Sequence, residues 1–150
     1  MVQRLLVFCV AALLFFSIHA HPGLANSSAP DNDCASPGQN GTAARPYLIC
    51  SISDLALLRN HPDAHFELRT DLSLGIFGWT TISSFSGHLD GNGHTISYLF
   101  SPRGLFNVIE EGATVKNLNV TGAIISGYFE DAILASRNRG TIENVEVSGT

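Results

Sequence analysis

With 150 residues and a formal net charge of −5, the chain is long enough for about one domain. It has no basic run and a single lysine, Lys116, which argues against nucleic acid or an anionic membrane as partner, since both need clustered Lys and Arg. No other class is excluded by composition.

Arg4 precedes an apolar run from Leu5 to Ile18, followed by small residues at Ala20 and Ala25. This pattern predicts a secretory signal peptide over residues 1–25. A membrane anchor is the competing reading, but fourteen helical residues span only ~21 Å against a hydrocarbon core of roughly 30 Å. Cleavage can fall after Ala20 or Ala25; Pro22, close behind Ala20, favours Ala25. Removal takes Arg4 and Cys9 and leaves seven basic against thirteen acidic residues, a net charge of −6. The expected location is secreted, extracellular or cell-surface, with no membrane insertion after processing. An exported chain meets an oxidising compartment, so the two remaining cysteines, Cys34 and Cys50, are expected to form a disulfide. In the loop-entropy model that closure contributes on the order of 3 kcal/mol.

Residues 26–45 are rich in Ser, Asn, Gly, Pro and Asp without an apolar period, and read as a flexible leader. A cap and first coil are expected over 46–93. Pro46–Cys50 forms a short strand in this reading, and Ser51 with Asp54 three positions on resembles a capping box. One short helix from about Ile52 to Asn60 follows, stopped by Pro62. The alternation in His65–Arg69 predicts a half-buried strand, continued by Asp71–Leu74 to a turn at Gly75. Extended segments are then expected at Trp79–Ile82 and Phe85–Leu89, before a tight turn over Asp90–Gly93.

From His94 the chain repeats itself. Three segments overlay, beginning at Thr95, Thr114 and Thr141, with starts 19 and 27 positions apart. The overlay stacks Ile96, Val115 and Ile142 in one column and Leu99, Leu118 and Val145 in another. Asn117 falls over Asn144, where corner amides could hydrogen-bond up the stack, and Lys116, Glu143 and Glu146 face solvent. Gly104–Phe106 and Ile133–Ala135 read as strands of a second face. The predicted fold is all-β, a right-handed parallel β-helix (solenoid) with a short N-terminal capping helix. Its repeats run over 94–150 and are expected to continue beyond Thr150. A βαβ sheet is disfavoured because small turn residues punctuate the connectors and none has a sustained 3.6-residue period.

Gly104-Leu105-Phe106 with Gly112-Ala113-Thr114-Val115-Lys116-Asn117-Leu118 resembles bacterial surface proteins with GLUG-type repeats, among them adhesins and the N-terminal regions of IgA-protease-like zinc peptidases. Pro46–Ile49, Asp54-Leu55, Phe66–Leu68, Asp71-Leu72 and Leu89–Ile96 extend the resemblance upstream, so that it covers about Pro46 to Thr150. It departs at Ala132-Ile133-Leu134-Ala135, where the repeat pattern has glycine. The peptidases' His-Glu-x-x-His helix is absent from the sequence, so that activity is not carried over.

No residue is predicted to be catalytic, cofactor-binding or metal-ligating. His61 and His65 have a metal-ligand spacing, but Pro62 breaks any helix between them. His88, Asp90, Asn92 and His94 alternate around a glycine turn with only one carboxylate, too few for calcium. The pairs Glu110-Glu111 and Glu130-Asp131 read as solvated loop charges. Arg137 and Arg139 are the candidate ligand-contact residues, where a carbohydrate or carboxylate could dock. Asn26, Asn40 and Asn119 head N-x-Ser/Thr triplets, which matter only in a host that glycosylates secreted proteins.

The leading expectation is a non-catalytic module for adhesion or for binding a host or matrix glycan or protein, without a cofactor. Two alternatives stand beside it: a β-helix polysaccharide lyase or hydrolase, and the N-terminal spacer of a larger secreted peptidase. The lyase or hydrolase would need clustered Asp, Lys, Arg or His on the outer face of the middle coils, which the overlaid copies do not supply.

Overall fold

The computed structural model describes Cys34 and residues 38–75, 78–127 and 132–150. The predicted signal peptide, Asn26 and the pair Glu130-Asp131 lie outside the described residues. The chain begins with a strand, β1 (Tyr47–Ile49), and two short helical stretches, α1 (Ile52–Leu55) and α2 (Leu57–Asn60). Ser51 caps α1: its Oγ accepts from the Asp54 N–H at 3.2 Å, while Asp54 reaches back to the Cys50 N–H at 3.2 Å. The single expected helix is thus divided at Ala56, where the first stretch closes before the second starts. Leu55 and Leu58 are buried and close the end of the core.

The remaining elements are strands: β2 (His65–Leu68), β3 (Leu72–Ser73), β4 (His88–Asp90), β5 (Thr95–Ser97), β6 (Phe100–Ser101), β7 (Phe106–Ile109), β8 (Thr114–Ile125), β9 (Ala135–Asn138) and β10 (Thr141–Gly149). Every pairing between them is parallel, and the chain returns to one face at His65, His88, Thr114 and Thr141. This is a parallel β-solenoid. A second face pairs β7 with β9, as the Gly104–Phe106 and Ile133–Ala135 segments predict, with Leu105 N–H donating to the Ile133 carbonyl. Among the described residues, Trp79–Ile82 and Phe85 do not form a continuous strand, and single bridges tie Ile82 to Phe106 and Phe85 to Ile109.

The overlay of the first repeat is corrected by five residues. Thr95 stands opposite Asn119, not Thr114, and the partner of Thr114 is His88. The apolar columns are therefore Phe66, Leu89, Val115 and Ile142, and Leu72, Ile96, Val120 and Val147. The physical reason lies in the turn at Asp90–His94. It does not end a coil but bends one, so β4 and β5 together pair along the single long strand β8. The second and third copies, Val115 over Ile142 and Leu118 over Val145, keep their expected register.

Inward residues fill the stack. Phe66, Phe85 and Phe106 form an aromatic run, with ring centroids 6.4 and 5.0 Å apart, in the tilted geometry that aromatic pairs prefer. Trp79 donates its indole N–H to the Leu105 carbonyl at 3.1 Å. The buried Ser101 hydroxyl meets Thr81 Oγ1 at 2.9 Å and donates to the Gly104 carbonyl at 2.9 Å, so it carries no unmet hydrogen bond. Gly104, at φ +84°, lies so close to the next coil that a Cβ would run into the Ala132 carbonyl oxygen.

Asparagines make the bends. Asn117 (φ 52°) and Asn144 (φ 49°) occupy the left-handed region that Asn tolerates better than most residues. Asn144 Nδ2 donates to Asn117 Oδ1 at 3.0 Å, and Asn117 Nδ2 donates to Asp90 Oδ1 at 3.0 Å. The expected amide ladder is present, and Asp90 anchors it. At the other end, the Cα atoms of Cys34 and Cys50 lie 6.1 Å apart and their sulfurs are joined. The leader's Gly38–Arg45 stretch is fixed by hydrogen bonds: Leu48 N–H donates to Gln39 Oε1 at 2.9 Å and His65 N–H to the Gly41 carbonyl at 2.8 Å.

Candidate functional site

Alternation along β2, β4, β8 and β10 turns every second side chain outward, and in-register stacking sets those side chains in rows. One row is His65, His88, Thr114 and Thr141; its neighbour is Glu67, Asp90, Lys116 and Glu143. All of these but Thr141 line a polar groove of about 440 Å³, which Ala43 of the leader and Pro46 also border. The imidazoles of His65 and His88 stack face to face with centroids 4.3 Å apart. Lys116 Nζ pairs with Asp90 Oδ2 at 3.1 Å, and Arg69 stands 3.7 Å from Glu67 at the rim.

The sequence overlay supplied no cluster of Asp, Lys and His on the outer face, and the structure corrects this. Glu67, His88, Asp90 and Lys116 meet there because the true partner of β8 is β4, which the slipped register left outside the repeats. The signal was in the sequence: His88-Leu89-Asp90 has the polar-apolar-polar pattern of Thr114-Val115-Lys116 and lies 26 positions before it.

The electrostatics are those of a tied-down site. Burial alone would raise the Asp90 carboxyl, but the Asn92 N–H, the Asn117 amide and Lys116 outweigh it and hold the group below the ordinary carboxylate range. Burial, with the charges of His65 and Lys116, pushes the His88 imidazole down, which favours its neutral form. Asp90 also accepts the Asn92 N–H at 2.9 Å, the corner role expected for it.

The other sequence candidates are dispersed. Arg137 and Arg139 are exposed and absent from the groove's lining: Arg137 lies on β9 opposite Val108, and Arg139, in the turn before β10, is paired with Glu110 at 3.2 Å. Glu110 also accepts from Ser84 at 2.7 Å. His61 ends α2 and packs on Tyr47, apart from the His65–His88 stack. His94 turns to Asp71 at 3.1 Å, where the Thr95 N–H and His94 lower the Asp71 carboxyl. Asn119 donates to the Gly93 carbonyl, and Asn40 closes a turn with Thr42. Among the described residues, no group of three or more His, Cys, Asp or Glu is placed to hold a metal ion, and no helix is long and apolar enough to cross a membrane.

A larger cavity of about 610 Å³ opens between the bends of successive coils, lined by Ser73, Gly75, Tyr98, Leu99, Phe100, Gly122 and Ile124. Tyr98 is 62% exposed, at φ 56°. Its lining is nearly all apolar and lacks the convergent polar groups that orient a ligand, so the smaller polar groove is the better candidate despite its volume.

No family model and no solved structure matches the chain. It is similar to a protein of Evansella cellulosilytica provisionally named a Gly-rich membrane protein, with 33% identity over 164 aligned positions covering 95% of this chain. It is also similar to the halomucin of Haloquadratum walsbyi, 34% identical over 134 positions and 74% of this chain. The chain spans 18% of the first relative's length and 2% of the second's.

Proposed function

We propose that the chain is a non-catalytic β-solenoid module of a secreted or cell-surface protein that binds a hydroxyl-rich partner, a glycan, along its outer face. The observation that carries this reading is the groove of His65, His88, Glu67, Asp90, Lys116, Thr114 and Glu143, ordered at strand spacing on a stiff parallel stack. The imidazoles turn their faces to each other and leave ring edges and nitrogens to hydrogen-bond sugar hydroxyls, which the flanking carboxylates, hydroxyl and ammonium also suit. The names of the membrane-protein and halomucin relatives, and the resemblance to GLUG-repeat surface proteins, support placement at the cell surface.

Glycan-array screening of the intact chain, followed by titration of a hit, tests the proposal. Replacing His65 and His88 together by alanine should weaken binding at least tenfold with the fold retained by circular dichroism. Binding that survives this change but falls in Arg137→Ala/Arg139→Ala would move the contact to the β7–β9 side and refute the groove.

One observation favours the polysaccharide lyase or hydrolase as a second reading: the Glu67, His88, Asp90 and Lys116 cluster on a middle coil. It ranks lower because Asp90 and Lys116 neutralise each other and Asp90 is held deprotonated by its amide partners, the reverse of a general acid. Release of new reducing or unsaturated ends from a polysaccharide, abolished in Lys116→Ala, would establish it.

A further inference from the structure

Resting on the glycan reading above, we infer that the groove selects saccharides bearing free amines, such as oligomers of deacetylated hexosamine, over anionic ones. The inference comes from which charges the register brings to the groove. Its row holds three carboxylates, Glu67, Asp90 and Glu143, and one ammonium, Lys116. Lys116 is opposite both Asp90 and Glu143 in the ladder but reaches back to Asp90, at 3.1 Å. Arg69 at the rim partly offsets Glu67 across 3.7 Å. Among the described residues no ion pair reaches Glu143, or Glu146 three positions further along β10.

The bound ligand therefore meets uncompensated negative charge at the β10 end of the groove, while Arg137 stands on β9 and Arg139 is paired with Glu110. A uronate or sulfated chain laid along the row would bring like charges together, and an amine would find a carboxylate. Neighbouring strands stand ~4.8 Å apart, comparable with the advance of one pyranose along an extended chain. Successive sugars can thus address successive members of the row, beside the ring edges of the His65–His88 stack and with Ala43 and Pro46 at the groove's border.

Calorimetric titration of the intact chain at near-neutral pH and low salt, with oligomers of glucosamine, N-acetylglucosamine and galacturonate of equal length, tests the selectivity. The expected result is glucosamine binding about tenfold tighter than N-acetylglucosamine, a difference of about 1.4 kcal/mol, with galacturonate weakest. The surface substitutions Glu67→Gln and Glu143→Gln together should bring the first two oligomers to near parity. Equal affinities, or galacturonate bound most tightly, would overturn the inference and leave the glycan reading standing. No binding by any of the three would overturn both for these sugars. Oligolysine bound more tightly than the glucosamine oligomer would also overturn it, assigning the groove to a basic protein segment.

Discussion

Replacing Asn117 by alanine tests the corner ladder that holds one coil on the next. The wild-type side chain donates to Asp90 at 3.0 Å and accepts from Asn144 at 3.0 Å, with the backbone at φ 52°. A hydrogen bond to a carboxylate contributes ~1.5–3 kcal/mol, and the exposed amide–amide bond ~0.5–1 kcal/mol. Alanine also meets a penalty of ~1 kcal/mol in the left-handed region, which asparagine largely escapes. The sum is a destabilisation of roughly 3–5 kcal/mol, a large share of the stability of a small domain. Asn117→Gly separates the contributions, because glycine adopts the same φ freely but restores neither bond. It should be less destabilised than alanine by about 1 kcal/mol while remaining well below wild type. Urea unfolding followed by circular dichroism measures both. Equal stability of wild type and the glycine variant would refute the role given to the ladder, leaving the backbone angle as the whole effect.

Phe85→Ala, which empties the centre of the Phe66–Phe85–Phe106 run, should cost ~3–5 kcal/mol in the same assay. His88 supplies a pH dependence of known sign. Its folded-state imidazole is harder to protonate than the unfolded one, so its contribution is complete above the ordinary histidine pKa of about 6.5 and is lost as pH falls below it. Thermal unfolding should show this loss on acidification, and His88→Gln should flatten it; an unchanged slope in the variant would assign the dependence to another group. Cys34→Ser should lower stability by about 3 kcal/mol through the opened loop, and wild type under reducing conditions should match it.

Local chemistry made much of the fold legible in the sequence. The alternation of Thr114–Val120 and Thr141–Val147, each interrupted by an asparagine, fixes both strands and bends, because a left-handed residue between two period-2 segments rotates the inward set without breaking the strand. Ser51 with Asp54 marks the helix start, and the cysteine pair marks the leader's attachment. The placement of the first full coil was not legible. Asp90–His94 looks like the end of one repeat and the start of another, whereas pairing along β8 makes it a bend within a single coil. A turn's residues specify its local angles, but how many positions it removes from the register depends on the strand it lies against. That one displacement also concealed the outer-face groove, since Glu67, His88 and Asp90 acquire Lys116 and Glu143 as neighbours only in the correct stack. The sequence by itself therefore determined the strands of the later repeats, their asparagine bends and the start of the capping helix. Tertiary pairing alone decided which coil lies on which, and so which charges share a face.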